Sequence, residues 1–171
     1  MAETKIKYGP DVALAVVDWA TTLLTGEWAS SAIFNNTTTL FMDVEVGGII
    51  EGDTVTGIIA AGESFDIYIA GQTSETATHF GGGIDLLLGA AAEQLEDVDF
   101  VKANLTLFKS VRVEPTTPDV DQGYRFGPMG VAQFFGGIMP KFFLLLLHNN
   151  TGASLGVGSA VNTRGITFDT T

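Results

Sequence analysis

The chain has 171 residues, of which 46% are hydrophobic and only 16% are charged, and its formal net charge is −12. This length suits one domain with a single core. The acidic balance excludes the basic surface that nucleic acid or an anionic membrane would need. Because there is no cysteine, disulfides and thiolate metal sites are excluded as well. The low charged fraction favours packing against other chains, with a threonine-rich monomeric sandwich as the alternative.

Charge is divided unevenly along the chain. No lysine or arginine lies between Lys7 and Lys102, an interval with 15 acidic residues, whereas six basic and four acidic residues lie from Lys102 onward. An ordinary acidic, solvated surface explains this pattern. An assembly in which the acidic part of one copy meets the basic part of the next explains it too.

Residues 1–26 are predicted to form an N-terminal arm and lead-in to one β-sandwich domain over residues 27–171. Residues 1–10 are mostly polar and end in Gly-Pro, which is typical of an extended arm. The stretch 11–24 fits a short helix and a strand equally well, so its secondary structure stays open. Met1–Lys7 lacks the apolar segment of a secretory signal, which predicts synthesis in the cytoplasm.

From residue 27 onward the pattern predicts short β-strands. Trp28–Phe34 ends at an Asn-Asn-Thr turn, and Leu40–Val46 ends at a Gly-Gly pair. In the second segment, Met42, Val44 and Val46 alternate with Phe41, Asp43 and Glu45, which is the period of a strand with one wet face. Further strands are predicted over 49–52, 55–60, 64–70, 104–113, 124–126 and 160–168.

The connections between these strands carry turn signals. A polar loop is predicted over 72–83, and the Leu- and Ala-rich segment Ile84–Leu95 predicts a helix. A loop over 115–123 would join the strands on either side of it into a hairpin. About eight short strands with at most two short helices favour a mainly β protein, either an antiparallel β-sandwich or a jelly roll.

Phe142–Leu147 is the most apolar run in the chain. It is far shorter than the roughly 20 residues that span a bilayer, and its length fits a strand buried on both faces. Turn-forming residues flank it: Gly136, Gly137 and Pro140 before the run, and Asn149, Asn150 and Gly152 after it. The run is therefore predicted to be the central strand of the core.

No residue is predicted to be catalytic, to bind a cofactor or to ligate a metal. His79 and His148 are isolated from each other, and a structural role for His148 is preferred over a proton switch or a ligand. The glycine clusters at 81–83 and 136–137 match no phosphate-binding pattern. There is no Gly-x-Ser-x-Gly nucleophile motif either.

Three pairs of carboxylates are spaced to share one face of a strand: Asp43 with Glu45, Asp97 with Asp99, and Asp119 with Asp121. A glycosidase pair needs one carboxyl with a raised pKa in an apolar pocket, whereas these pairs lie beside turns or on solvent faces. A solvated surface is the preferred interpretation, with a Ca²⁺ site and catalysis as alternatives.

Two tryptophans raise the same choice between a core and a binding surface. Trp19 and Trp28 are interpreted as core residues, because large aromatic side chains in a chain this apolar mostly fill its interior. The alternative is that they form an exposed platform on which sugar rings stack.

Gln133–Leu155, followed by Asn162–Gly165, resembles the C-terminal part of a group of small structural proteins from tailed-phage virions. The shared features are a glycine-proline turn, an apolar strand, an Asn-Asn-Thr-Gly-Ala turn and a closing strand. The Asn-Asn-Thr turn at 35–37, followed by Leu40–Asp43, is similar to their early strands. The acidic middle of the chain and the helix-like Ile84–Leu95 depart from the group.

The resemblance implies a β-sandwich virion protein with no enzymatic activity and no cofactor. Its partners would be its own copies, with a trimer as one candidate, and a major capsid or tail protein; neither nucleic acid nor a membrane is expected as a partner. We expect a head decoration or cement protein that is made in the host cytoplasm and resides in the virion. The alternatives are a tail-associated glycan-binding adhesin and a glycan-degrading enzyme.

Overall fold

The computed structural model describes residues 4–16, 19, 23–53, 62–72, 80, 105–113, 122–156 and 158–170. Its strands, in chain order, are β1 (Thr4–Leu14), β2 (Trp28–Ser30), β3 (Phe34–Asn35), β4 (Asp43–Asp53), β5 (Ser64–Gln72), β6 (Thr106–Arg112), β7 (Gln122–Gly130), β8 (Phe142–Asn150), β9 (Ser154–Leu155) and β10 (Ala160–Thr170). A 3-10 helix, Ala132–Phe135, lies between β7 and β8. Within the described ranges, no helix is long and apolar enough to cross a membrane.

Several predicted elements lie outside the described residues. They are the helix Ile84–Leu95, the strand piece 55–60, most of the loop 72–83 and most of the loop 115–123. Of the polar loop, Gln72 is the last residue of β5.

The strands form two antiparallel sheets that pack face to face. Sheet A has the order β1-β10-β4-β7, with β9 beside β4, and sheet B has the order β2-β8-β5-β6, with β3 also paired to β8. Eight main strands remain if β2 and β3 are counted as one interrupted strand and β9 is left out. Renumbered from 1 to 8 in chain order, they lie in the order 1-8-3-6 in sheet A and 2-7-4-5 in sheet B. This is the arrangement of a jelly roll, and it confirms the predicted antiparallel β-sandwich.

β8 is the central strand that its apolar run predicts. It pairs with β2 and β3 on one side and with β5 on the other, and every residue from 142 to 149 is buried. The side chains at 143, 145 and 147 join the core between the sheets. Leu144 and Leu146 instead pack with Trp28 and Tyr68 on the outer face of sheet B. Both faces of this strand are therefore covered.

β4 runs without interruption from Asp43 to Asp53, so the prediction that one strand ends at Gly47-Gly48 and another covers 49–52 is wrong. The two glycines lie where β4 is crowded by both neighbours. A Cβ on Gly48 would overlap the carbonyl oxygen of Ala160 and press on the Phe126 ring. The pairing of β4 with β7 is also irregular at this point, as expected for a glycine at a bulge.

The predicted alternation is confirmed from Asp43 to Val46. It is wrong before that point: β4 begins at Asp43, Met42 is 56% exposed, and Phe41 packs against the core. Val44 and Val46 are 0% exposed and belong to the core between the sheets. Asp43 and Glu45 lie on the opposite face, where they are half-buried. In β5, Phe65, Ile67 and Ile69 face the same core.

β6 and β7 do not form the predicted hairpin. β6 pairs with β5 in sheet B, whereas β7 pairs with β4 in sheet A. The connection between them therefore crosses from one sheet to the other. Alternation in a sequence indicates which face of a strand is buried, and it carries no information about which strand lies alongside.

Residues 4–14 are a strand of sheet A, in contrast to the predicted arm. β1 pairs with β10 from Thr4 to Leu14, with an irregularity between Tyr8 and Asp11. Leu14 reaches the core between the sheets. The alternation of Lys5, Ile6, Lys7 and Tyr8 carried the strand signal, and the polar composition around it concealed that signal.

Leu145→Ala and Leu146→Ala are each expected to lower the free energy of unfolding by about 2–5 kcal/mol, because each leaves a cavity in a covered face of β8. Urea denaturation followed by circular dichroism measures the change. Leu107→Ala is the matched control, since Leu107 is 48% exposed, and its expected cost is below about 1 kcal/mol. A cost for Leu146→Ala as small as the control's would show that the outer face of sheet B is not a packed core.

Candidate functional site

The outer face of sheet A carries a groove of about 500 Å³. Gly47 and Gly127 line it and contribute no side chains, so the backbone itself forms part of its surface. Its polar lining comes from four strands: Asp11, Glu45, Asn162, Arg164 and Arg125. The groove thus places two guanidinium groups and two carboxylates on one side of the sandwich.

Arg164 is held against one side of this groove by Glu45. The two residues are cross-strand partners on β10 and β4. Arg164 Nε donates to Glu45 Oε2 at 3.1 Å, and Nη2 donates to the same oxygen. These hydrogen bonds raise the pKa of the Arg164 guanidinium above its usual value, and Asp11, 3.9 Å away, adds to the effect. The guanidinium also lies over the Tyr8 ring, 4.9 Å from its centroid.

Arg125 enters the same groove from β7, as the cross-strand partner of Ile49. It is exposed, and within the described part of the chain no carboxylate lies within ion-pair distance of it. Among the described residues, Arg164 is therefore paired with Glu45, whereas Arg125 has no carboxylate partner and could bind a ligand. Together with Asp11 and Asn162, this arrangement suits a polar ligand that both donates and accepts hydrogen bonds.

A second surface lies where sheet A narrows to two strands. β4 begins at Asp43, opposite Ile166, so residues 4–8 of β1 and 166–170 of β10 extend beyond it as a two-stranded segment, which we name the terminal ribbon. Ile6 is the cross-strand partner of Phe168, and Tyr8 is the partner of Ile166. The exposed fractions of Ile6, Tyr8 and Phe168 are 59%, 53% and 53%. The terminal ribbon thus presents an apolar face to solvent.

Asn149 and Asn150 are the last two residues of β8 and pair with β5, so the strand ends later than predicted. The Asn149 side chain nevertheless makes the predicted bonds to the backbone of the turn that follows. Asn149 is 0% exposed. Its Nδ2 donates to the carbonyl oxygens of Leu23 at 2.9 Å and Ala153 at 2.8 Å. Its Oδ1 accepts from the backbone N of Thr151 at 2.9 Å and from that residue's Oγ1 at 2.8 Å. All four bonds lie within the protein, which gives the turn a structural role.

His148 lies in a buried aromatic cluster on the outer face of sheet B. Its ring stacks on Trp28 with centroids 4.4 Å apart, and Trp28 in turn contacts Tyr68 at 5.3 Å. Burial raises the pKa of the Tyr68 phenol, and the negative charge of Asp66 raises it further. This packed setting fits the structural interpretation of His148.

Both tryptophans are core residues, as predicted. Trp19 is 0% exposed and Trp28 is 1% exposed. The Trp19 indole nitrogen donates to the carbonyl oxygen of Ala29 at 3.1 Å. Neither ring is available to stack on a sugar.

The first carboxylate pair shares one strand face, but each member is engaged in structure. Asp43 Oδ1 accepts from the backbone N of Val44 at 2.7 Å and of Ala132 at 2.8 Å, which ties β4 to the 3-10 helix. Glu45 is paired with Arg164. The geometry is therefore that of a structural pair and not of an acid and base flanking a substrate.

The remaining candidates from the sequence are not covered by the structure. Asp97, Asp99, Asp119, Asp121 and His79 lie outside the described residues. In the part of the chain that is described, no group of three or more His, Asp or Glu side chains is arranged to hold a metal ion.

Sequence reasoning missed both the groove and the terminal ribbon. Arg164 and Glu45 are 119 positions apart, and no local pattern brings them together. The terminal ribbon did carry a signal, because residues 5–8 alternate between lysine and an apolar side chain. The matching alternation of Ile166 and Phe168 is visible in the sequence as well.

None of the known protein-family models matches this sequence, and no curated protein matches it significantly. The candidate functional surfaces are the groove of sheet A and the apolar face of the terminal ribbon.

Asn149→Ala is expected to lower the free energy of unfolding by about 2–4 kcal/mol, because it removes four buried hydrogen bonds, including the one that the backbone N of Thr151 donates. Urea denaturation measures the loss. Asn35→Ala is the matched control: Asn35 forms the same kind of turn, accepting from Thr37 N at 2.8 Å, but is exposed. Its cost should stay below about 1 kcal/mol, and equal costs for the two variants would contradict a special role for Asn149.

Tyr68→Phe is expected to reduce the loss of stability at alkaline pH. The folded pKa of Tyr68 lies above its ordinary value of 10.0, so its contribution is fully present below pH 10.0 and disappears as the pH rises through the folded pKa. Thermal unfolding from pH 8 to pH 11 should show Tm falling less steeply in this variant. Tyr8→Phe, at an exposed tyrosine, should retain the wild-type profile, and identical profiles for all three proteins would refute the prediction.

Proposed function

We propose that this chain is a non-enzymatic structural protein of a tailed-phage virion, a head decoration or cement protein that stabilises the capsid through repeated subunit contacts. Two features support the proposal. The jelly-roll arrangement recurs in viral capsid domains, although also in lectins. The segment that resembles small virion proteins, Gln133–Leu155, includes the central strand of sheet B and the turn that fixes its end.

The observation that carries the proposal is the amount of apolar side chain left on the surface. Large hydrophobic residues that are 48–72% exposed are Ile6, Tyr8, Val12, Leu24, Leu40, Met42, Leu107, Ile138 and Phe168. Single exposed apolar residues are ordinary, but Ile6, Tyr8 and Phe168 share one face of the terminal ribbon. Fully burying a large apolar side chain contributes about 1.5–3 kcal/mol, so a few such contacts repeated by symmetry would strengthen a shell considerably.

The proposed partners follow from this surface. They are other copies of the chain, with a trimer as one candidate, and a major capsid or tail protein. Symmetry repeats each contact at every equivalent position of the particle, so each contact can be individually weak. The protein would be made in the host cytoplasm and function in the virion.

The second candidate is a tail-associated glycan-binding adhesin, and the groove of sheet A is the observation that favours it. Because Trp19 and Trp28 are buried, any sugar would be bound mainly by hydrogen bonds from Arg125, Asn162 and Asp11, which line the groove. Carbohydrate hydroxyls both donate and accept such bonds, and the groove offers both kinds of partner.

Recruitment to particles tests the first candidate. Purified protein is mixed with heads and, separately, tails from the encoding phage after deletion of this gene, and bound protein is measured by co-sedimentation. We expect saturable binding to heads at a fixed number per particle, together with a higher temperature of genome release. Binding to tails alone would replace the head assignment with a tail assignment, and binding to neither would refute the proposal.

The same preparation separates the adhesin from the cement protein. Titration with oligosaccharides prepared from the host's surface polysaccharide, followed by calorimetry, should give no heat of binding if the protein is cement alone. Binding at millimolar concentration or tighter that Arg125→Ala weakens at least tenfold would favour the adhesin. Lys109→Ala, at an exposed cation on β6, is the matched control.

A further inference from the structure

We propose that the terminal ribbon of one copy docks on the opposite, acidic end of the sandwich of a second copy. This inference rests on the proposed function, because it names the surfaces through which copies of a structural protein contact each other. It would give the assembly a direction, with each copy offering a different surface to the neighbour on either side.

The terminal ribbon has the composition of a contact element. Its apolar face carries Ile6, Tyr8 and Phe168, each more than half exposed, and a two-stranded ribbon by itself is only marginally stable in water. Lys5 and Lys7 alternate with these side chains along β1, and among the described residues of β10 the carboxylate opposite them is Asp169, the cross-strand partner of Lys5. Strand alternation places these lysines on the face of the ribbon opposite to Ile6, Tyr8 and Phe168. Among the described residues, the ribbon therefore has one exposed apolar face and one face with a net positive charge, in a protein whose net charge is −12.

The same lysines argue against the simplest alternative, in which the free edge of β1 pairs with its own copy. The apolar face of β1 would continue across both copies only if odd positions opposed odd positions and even positions opposed even ones. In the registers centred on Lys5, Ile6 or Lys7, lysines then oppose lysines, at 5 with 5, 5 with 7 or 7 with 7. Like charges directly opposed are destabilising, and lysines on an edge strand are a common protection against such pairing. The favoured occupant is an acidic surface.

The other end of the sandwich supplies that surface. Three carboxylates surround the turns between residues 149 and 158. The backbone of Glu27 accepts from Asn149 N at 3.1 Å, and Glu63 Oε2 accepts from Gly152 N at 2.9 Å. The Glu51 side chain lies against Gly156 and Gly158.

The charge at this end remains negative when its neighbours are included. Arg112, opposite Ser64 on β5, adds one positive charge nearby, so the three carboxylates still dominate among the described residues. Leu24 provides an apolar contact beside them, because it is 52% exposed and its backbone N donates to Glu27 Oε2 at 2.8 Å.

The two surfaces lie at opposite ends of one strand. β4 begins at Asp43, opposite Ile166 next to the terminal ribbon, and its Gly52 lies opposite Leu155 at the acidic end. A contact between unlike ends is heterologous, so it closes into a ring if the rotation between copies permits and otherwise extends as a chain. A three-membered ring would agree with the trimer expected from the resemblance.

Removing the apolar side chains is the first test. Mass photometry and sedimentation over a concentration series compare the wild type with the double variant Ile6→Ser/Phe168→Ser. We expect the concentration for half-assembly to rise at least tenfold. Ile138→Ser is the control, because Ile138 is 72% exposed and lies outside both surfaces, and it should assemble like the wild type. Thermal unfolding establishes that each variant is folded.

Reversing the charges is the second test, and it distinguishes this contact from a general apolar association. Lys7→Glu and Glu51→Lys should each weaken assembly about threefold at low salt, the scale of an exposed ion pair, and the combination of both in one chain should restore it. Lys109→Glu on β6 is the charge-matched control and should not weaken assembly to the same extent. These differences should disappear near 1 M salt, where the Debye length is about 3 Å.

The outcomes separate this inference from the proposed function. If the ribbon variants form the same oligomers as the wild type, the inference is wrong. Head binding by the same protein would still support the proposed function. A wild type that remains monomeric at every concentration and on heads would overturn the inference, and the function would then depend on head binding alone. Loss of assembly in the ribbon variant, with rescue by the charge swap, would establish the contact.

Discussion

The burial of β8 on both faces is the constraint on which the rest of the structure depends. An apolar strand of this kind must have a cover on each side, and sheet A supplies only one of them. On the other side, Trp28, Tyr68 and Ala70 form a second cluster with Leu144 and Leu146, against which Ile33, Phe80 and Leu105 pack. Sheet B is therefore an interior layer over this region. Sheet A is left as the sheet with an open outer face.

This asymmetry explains where the candidate surfaces lie. The groove and the apolar face of the terminal ribbon both belong to sheet A, and they meet where Arg164 lies over Tyr8. Arg164 is also anchored to Glu45, so one side chain connects the charged groove with the apolar ribbon. Sheet B contains the strand buried on both faces, and sheet A carries both candidate surfaces. The longer segment that resembles virion proteins, Gln133–Leu155, is thus separate from the terminal ribbon, whereas Asn162 and Arg164 of the shorter one line the groove.

The features that sequence predicted are those encoded by local period and composition. The run at 142–147 shows its burial directly, and the alternation around Val44 and Val46 shows which face is buried. The failures arose where a local signal has two physical meanings. The Gly47-Gly48 pair is typical of a turn, yet in β4 it permits close packing inside a strand.

Partner choice was the other limit. The alternation in β6 and β7 is real, but their partners are set by the way the two sheets cover each other. Predicting the groove would require the pairing registers of four strands, because its charged side chains and Asn162 come from β1, β4, β7 and β10. Such a site is a property of the tertiary structure, and no single stretch of sequence contains it.

The pairing of β1 with β10 also has a consequence for how the protein is made. The hydroxyl of Thr163 on β10 donates to the carbonyl of Val12 on β1 across 151 positions of sequence. During synthesis, β1 therefore cannot pair with β10 until the end of the chain has left the ribosome. At synthesis rates of about 5–20 residues per second, that delay is roughly 8–30 s. Throughout it, the side chains of Ile6, Tyr8 and Leu14 lack their native neighbours on β10. Lys5 and Lys7 are charges of the kind that protect an unpaired strand against association with other chains.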